Sequence, residues 1–78
     1  MKLTYDPDAN VAYIRLRERE GEVETIELTA DFLVDIDATG AVCGIELLNA
    51  RDQLTRGDDG KLIFVNALSG GQTVLDVA

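Results

Sequence analysis

The segment Phe32-Leu-Val-Asp-Ile-Asp-Ala-Thr-Gly-Ala-Val-Cys-Gly-Ile-Glu-Leu47 places two alternating runs on either side of a glycine turn. Successive side chains of a strand point to opposite faces, so a period of two predicts an antiparallel hairpin with one apolar face. Pairing Val34 with Ile45, and Ile36 with Cys43, brings the apolar residues of both runs onto that face. The apolar set is Phe32, Val34, Ile36, Cys43, Ile45 and Leu47.

Similar alternation on both sides of this hairpin predicts further strands. We expect Val11–Arg17 and Val23–Thr29 to pair through a three-residue loop centred on Gly21, which would set Arg15 opposite Glu27. One short helix is expected near residues 49–56. The fold class is therefore mostly β, a small antiparallel sheet of hairpins. The remaining predicted strands are Lys2–Tyr5, Lys61–Ala67 and Thr73–Val77.

The length of 78 residues predicts a single domain spanning 1–78, with a thin margin of stability. Domains of this size commonly gain stability from disulfides, a metal or a partner chain. Cys43 is the only cysteine and the chain has no histidine, which excludes an internal disulfide and leaves structural zinc without its usual ligands. The apolar run Leu62–Val65 indicates burial on both faces, against a helix or another subunit. We therefore expect a homodimer.

The charge is strongly acidic, with fifteen acidic and seven basic residues and a net charge of −8. Such a field repels phosphate backbones and anionic lipid surfaces, so neither nucleic acid nor membrane is an expected partner. Solubility is one explanation of the charge; a basic protein partner is another. The single cysteine, with no signal peptide or apolar span in view, predicts a complete cytoplasmic protein.

Residues 35–46 resemble a calcium-binding loop, with carboxylates at Asp35 and Asp37 and a glutamate at Glu46. An EF-hand has the same spacing of oxygen ligands and a glycine at its sixth position, here Gly40. Its flanks are helical, however, whereas the flanks here alternate as strands. We interpret the segment as a hairpin turn and expect no dedicated metal site. Loose cation binding by the three carboxylates, on an exposed sheet face, stays open as an alternative.

No catalytic or cofactor-binding residues are predicted. Without histidine there is no pair of the Ser-His or Cys-His kind, and Cys43 falls on the core face, where cysteine acts as a small hydrophobe. Tyrosine and phenylalanine are enriched at protein interfaces. Tyr5, Tyr13 and Phe64 are therefore the candidates for contact with a partner.

Two motifs in order resemble a bacterial family of small proteins, the domain of unknown function numbered 2283. The first is Tyr5-Asp-Pro-Asp-Ala-Asn-Val-Ala-Tyr-Ile-Arg-Leu16 and the second is Leu33-Val-Asp-Ile-Asp-Ala-Thr-Gly-Ala-Val-Cys-Gly-Ile-Glu-Leu-Leu-Asn-Ala50. The resemblance covers about residues 3–52 and implies a compact antiparallel β domain with no established activity. Asn10 stands where the family commonly has aspartate, and Cys43 where it has a β-branched residue.

The leading functional hypothesis is a non-enzymatic interaction module that self-associates. A sharper version is an antitoxin-like neutraliser of a small basic protein. The alternative from another class is a carboxylate or metal-dependent enzyme that uses Asp35, Asp37 and Glu46. A small-ligand binder with its site in a dimer cleft is a third.

Overall fold

The computed structural model describes residues 1–76 and forms seven strands and one α-helix within them. The helix is α1 (Ala50–Thr55), which the sequence places near residues 49–56. The strands are β1 (Lys2–Asp6), β2 (Val11–Arg15), β3 (Glu24–Thr29), β4 (Phe32–Ile36), β5 (Val42–Leu48), β6 (Lys61–Val65) and β7 (Gln72–Asp76). The last predicted strand extends to Val77, which lies outside the described residues.

Five strands form one antiparallel sheet in the order β1-β2-β5-β4-β3, and β6 and β7 form a separate antiparallel hairpin. The predicted fold class, mostly β with antiparallel hairpins and one short helix, is confirmed. β5 occupies the centre of the sheet because β2 and β4 pair with its two edges.

The expected β2–β3 hairpin is wrong. β2 pairs with β1 and β5, and Arg15 lies opposite Gly44 instead of Glu27. The segment 16–23 between the two strands runs beside β5 and its turn: the Leu16 N–H donates to the Cys43 carbonyl at 2.9 Å and the Ala38 N–H donates to the Glu20 carbonyl at 3.0 Å. These bonds direct the chain past β5, so β3 joins the sheet only through β4.

The β4–β5 hairpin has the register that the alternation predicts along most of its length. Val34 lies opposite Ile45, as expected. Beyond Asp35 the register shifts, and Ile36 lies opposite Val42 instead of Cys43. A shift of this kind is a β-bulge, which adds one residue to one strand next to a turn. A second register shift lies in β3, between Glu27 and Thr29.

The pairing sorts the side chains of the sheet into a polar face and an apolar face. Across the apolar face, one residue from each strand forms a continuous row, which we call the apolar row. In sheet order the apolar row is Leu3, Ile14, Ile45, Val34 and Ile26. Next to it on the polar face runs the glycine row: Lys2, Arg15, Gly44, Asp35 and Thr25.

Helix α1 is fixed to the sheet by the turn between β1 and β2. Asn10 accepts the Ala50 N–H at its carbonyl (3.0 Å) and the Arg51 N–H at its Oδ1 (2.7 Å). It therefore satisfies two of the amides that a helix leaves unpaired at its N-terminus. Asn10 holds a left-handed φ of 57°, which asparagine tolerates better than most residues.

The hydrophobic core of the described residues is small. Its fully buried apolar residues are Ala12, Cys43 and Ala50, and the expected burial of Cys43 is confirmed. The strand β6 is largely exposed, so burial of the run Leu62–Val65 inside this chain is wrong. Among residues 1–76, no helix is long and apolar enough to cross a membrane.

Removing the Asn10 side chain should destabilise the fold through α1. Asn10→Ala loses the cap and forces alanine into a left-handed φ, so we expect a loss of about 1–2 kcal/mol in the free energy of unfolding by urea. Asn10→Gly loses the cap without the backbone strain and should fall between wild type and Asn10→Ala. Asn10→Asp retains the acceptor and should stay close to wild type. Equal stability of all four proteins would contradict the capping role.

Candidate functional site

A hydrogen-bonded cluster joins three strands across the polar face. The Tyr13 hydroxyl donates to Asp35 Oδ2 at 2.8 Å, and the Thr25 hydroxyl donates to Asp35 Oδ1 at 2.7 Å. The Arg19 guanidinium lies 3.4 Å from the Tyr13 hydroxyl. Burial, and then the adjacent Asp35 carboxylate, raise the pKa of Tyr13, so its hydroxyl keeps its proton and serves as a donor.

Gly44 makes this cluster possible. It lies between Arg15 and Asp35 in the glycine row, and Tyr13 reaches Asp35 by crossing over it. A Cβ atom added at Gly44 would stand 2.0 Å from the Tyr13 hydroxyl oxygen and 2.5 Å from its ring. Only glycine leaves room for the tyrosine ring, which in turn covers the gap that glycine leaves in the strand.

A second cluster, around Asp37, organises the two loops at one end of the sheet. Asp37 Oδ1 accepts the Thr39 hydroxyl (2.5 Å) and the Thr39 N–H (2.9 Å). Its Oδ2 accepts the Glu20 N–H (3.2 Å) and the Arg17 guanidinium (2.8 Å). These contacts, of which the Thr39 hydroxyl is the largest, hold the pKa of Asp37 well below its ordinary value. The cluster ties the segment before β3 to the β4–β5 turn.

The three predicted cation candidates occupy different environments. The expectation of an exposed carboxylate face is wrong for two of them, because Asp35 is 9% exposed and Asp37 is 4% exposed, with both carboxylates engaged in hydrogen bonds. Glu46 lies half-buried on the polar face, opposite Tyr13 on one side and Leu33 on the other. Within residues 1–76, no three histidine, cysteine, aspartate or glutamate side chains are grouped to hold a metal ion. Loose cation binding by these carboxylates stays an untested alternative.

The calcium-loop resemblance has a structural explanation. Residues 35–46 comprise the end of β4, the turn and most of β5, and Asp37 caps the turn by accepting the Thr39 N–H. Gly40 supplies a φ of 85°, in the left-handed region that glycine adopts without strain. The same residue types that would hold a cation between two helices here close a β-hairpin.

The predicted contact residues lie on different surfaces. Tyr13 belongs to the polar face and its hydroxyl is engaged with Asp35. Tyr5 lies half-buried on the opposite, apolar face, paired with Ala12. Phe64 in β6 is 62% exposed. The structure thus assigns Tyr13 a structural contact, and it leaves Tyr5 and Phe64 beside apolar surface.

A broad apolar surface is the feature that sequence reasoning located only in part. Ile26 at the end of the apolar row is 37% exposed, and apolar residues on both faces of the β6–β7 hairpin are exposed as well. For the hairpin, the continuous apolar run Leu62–Val65 indicated this surface in the sequence. For the sheet, no sequence feature indicated it, because the residues alternate as they would in a covered sheet. The exposed hairpin residues are Ile63, Phe64, Val65, Val74 and Leu75.

Comparison with known families accounts for most of this architecture. The model of a protein family of unknown function, DUF2283, matches residues 2–51. The chain belongs to this family. No curated protein and no solved structure matches it. The match to DUF2283 confirms the resemblance carried by the two motifs, and it covers the five-stranded sheet and the start of α1. The β6–β7 hairpin lies outside the matched region.

Within the DUF2283 region, motif residues serve the fold. Asp6 Oδ1 accepts the Asp8 and Ala9 N–H groups in the β1–β2 turn, at 3.0 and 3.2 Å. Asn10 caps α1, and Asp35 and Asp37 anchor the two clusters. The motif is therefore explained as structural chemistry, and the candidate functional surface is the apolar one.

Filling the space at Gly44 should break the Tyr13–Asp35 hydrogen bond. We expect Gly44→Ala to reduce the free energy of unfolding by about 2 kcal/mol, through overpacking and a lost buried hydrogen bond. Gly57→Ala is the matched control, because an added Cβ there meets nothing within 4 Å. In a Tyr13→Ala background, Gly44→Ala should become nearly neutral. An equal effect in both backgrounds would rule out the steric explanation.

The Asp37 cluster predicts an acid-dependent loss of stability. The folded-state pKa of Asp37 lies below its ordinary 3.8, so the ionised carboxylate stabilises the fold above that pH, and this stabilisation disappears as the pH falls towards the folded pKa. Asp37→Asn should lower stability at neutral pH and flatten its decline between about pH 4 and pH 2. Urea unfolding across this range measures both slopes, and parallel slopes would contradict the role of Asp37.

Proposed function

We propose that this chain is a non-enzymatic protein-interaction module that works as a homodimer, with a second copy covering its apolar face. The observation that carries the proposal is the exposed apolar surface formed by the sheet and the hairpin. An apolar sheet face is normally buried against another layer of secondary structure. Here the described residues supply only α1, a single 3-10 turn at Asp58–Gly60 and a separate hairpin as further elements.

The size of the exposed surface fits a second copy. The chain exposes 5524 Å², whereas a compact monomer of 8.5 kDa exposes about 4,650 Å². The difference of roughly 870 Å² is close to the area of about 800 Å² that each partner buries in a stable interface. The radius of gyration agrees: it is 14.0 Å, against about 11.5 Å for a compact chain of this length.

The chemistry of the surface also favours a like partner. The apolar row contains no charged residue. The exposed side chains of the hairpin include five large apolar ones, with Lys61, Gln72, Thr73 and Asp76 among them as polar neighbours. A matching apolar surface is therefore what it would bind, and a second copy presents one. In a two-fold dimer the same patch serves both chains.

The carboxylates of the motif support a non-enzymatic role. A catalytic carboxylate must reach its substrate. Asp35 is bound by Tyr13 and Thr25, and Asp37 by Thr39 and Arg17. A cytoplasmic setting belongs to the same proposal and is supported by the unpaired, buried thiol of Cys43.

A charge placed on the apolar surface should prevent dimerisation. We expect the wild-type protein to sediment as a dimer at micromolar concentration, and Phe64→Glu to raise the dissociation constant at least tenfold, because the exposed ring would be replaced by a charge that must be desolvated. Thr4→Glu is the matched control: it adds the same charge to an exposed position on the polar face. Wild-type protein that sediments as a monomer at high concentration would overturn the proposal.

The dependence of affinity on salt concentration distinguishes self-association from binding to a basic partner. The net charge of −8 favours the basic partner as the alternative. Two copies with this charge repel each other, so added salt should tighten the homodimer by screening. A complex with a basic protein should instead weaken as salt rises. Sedimentation between about 50 and 500 mM NaCl measures the direction, and a homodimer that weakens with salt would contradict an apolar interface.

A further inference from the structure

The β6–β7 hairpin is loosely attached to its own sheet. A cleft of about 280 Å³ separates Met1, Leu3 and Ile14 on the sheet side from the hairpin strand β6. The cleft is open to solvent, so the apolar side chains of the sheet and the hairpin do not close into a packed interior there. The hairpin residues that line the cleft are Leu62, Ile63 and Phe64.

The hairpin carries apolar side chains on both of its faces. Leu62 pairs with Leu75 on one face, and Ile63 pairs with Val74 on the other. A two-stranded hairpin is marginal by itself in water and needs a hydrophobic surface against which to pack. The hairpin therefore requires more apolar surface than its own chain gives it.

The connection that leads to the hairpin is strained. Asp58, Asp59 and Gly60 have consecutive left-handed φ angles of 50°, 53° and 75°, and Gly60 N–H donates to the Gly57 carbonyl at 3.1 Å. Two of these three residues carry a Cβ, for which the left-handed region is unfavourable. A strained, short hinge favours exchange of the element that follows it, because opening the hinge releases the strain.

We propose that the hairpin is an exchanged arm: in the dimer, β6–β7 of each copy lies on the apolar face of the other copy. This inference rests on the proposed homodimer and specifies how its surfaces meet. The matched region of DUF2283 ends at residue 51, within α1, so the arm follows a sheet that is complete without it. The hinge Asp58–Gly60 is the point at which the chain crosses to its partner.

Isotope-filtered NMR on a mixed dimer tests the exchange directly. One copy is labelled with ¹³C, the other is unlabelled, and the two are refolded together. We expect intermolecular NOEs between the methyl groups on one face of the hairpin (Leu62, Leu75) and those of the sheet (Ile14, Val34). A dimer whose hairpin-to-sheet NOEs are all intramolecular would overturn the exchange and leave the homodimer intact. A monomer would overturn both.

Substitutions in the hinge test whether its backbone strain favours exchange of the hairpin. Asp58→Gly/Asp59→Gly removes the strain of the closed hinge, so it should favour an unexchanged chain and weaken dimerisation tenfold or more. Asp59→Pro fixes φ near −65°, which is incompatible with the closed hinge, and the dimer should remain or tighten. Asp8→Gly, in a turn with ordinary φ, is the matched control and should leave the dissociation constant unchanged. A dimer unaffected by the double glycine variant would contradict the role of the hinge.

Discussion

Coverage of the apolar sheet face is the constraint on which the rest of this structure depends. The sheet is held together internally by backbone pairing and, on its polar face, by the hydrogen bonds of Asp35. On the other face, the row from Leu3 to Ile26 is covered only in part: four of its residues are half-buried and Ile26 is 37% exposed. A sheet of this kind cannot remain a single layer in water, because apolar surface is driven out of contact with solvent. The hairpin, its strained hinge and the proposed second copy all relate to how this apolar face is covered.

The contacts of the polar face lie within the region that the family model matches, whereas the apolar surface also includes the hairpin outside that region. On the polar face, Gly44, Tyr13 and Asp35 form a contact that needs all three residue types at once: a missing side chain, a long aromatic donor and a carboxylate that accepts from two sides. This contact lies wholly inside the DUF2283 region. The hairpin lies outside it. The family signature therefore accounts for the sheet, and the proposed interaction surface combines that sheet with the hairpin, which lies outside the matched region.

The elements that could be predicted from the sequence are those determined by residues close together in the chain. Strict alternation in residues 32–47 gave the β4–β5 hairpin and the pair Val34–Ile45, and the turn residues around Gly40 gave its loop. The partner of β2 could not be predicted from neighbouring strands alone, because residues 16–23 are held by Cys43 and Ala38, distant in the chain. The burial of Asp35 was missed because a carboxylate between apolar neighbours looks like a solvent-facing position. Its hydroxyl partners become visible only once Tyr13 and Thr25 are placed beside it.

The bulge in β3 bears on how large an assembly can grow. β3 is an open edge of the sheet, and an edge strand with free backbone groups can recruit further strands without limit. The register shift between Glu27 and Thr29 disturbs the regular spacing of those groups, and Glu24 and Glu27 add charge along the same edge. Pairing through the apolar faces uses each copy's surface once and then closes, whereas pairing through edges would extend into a filament. The bulged, acidic edge therefore favours a finite particle over an open-ended one.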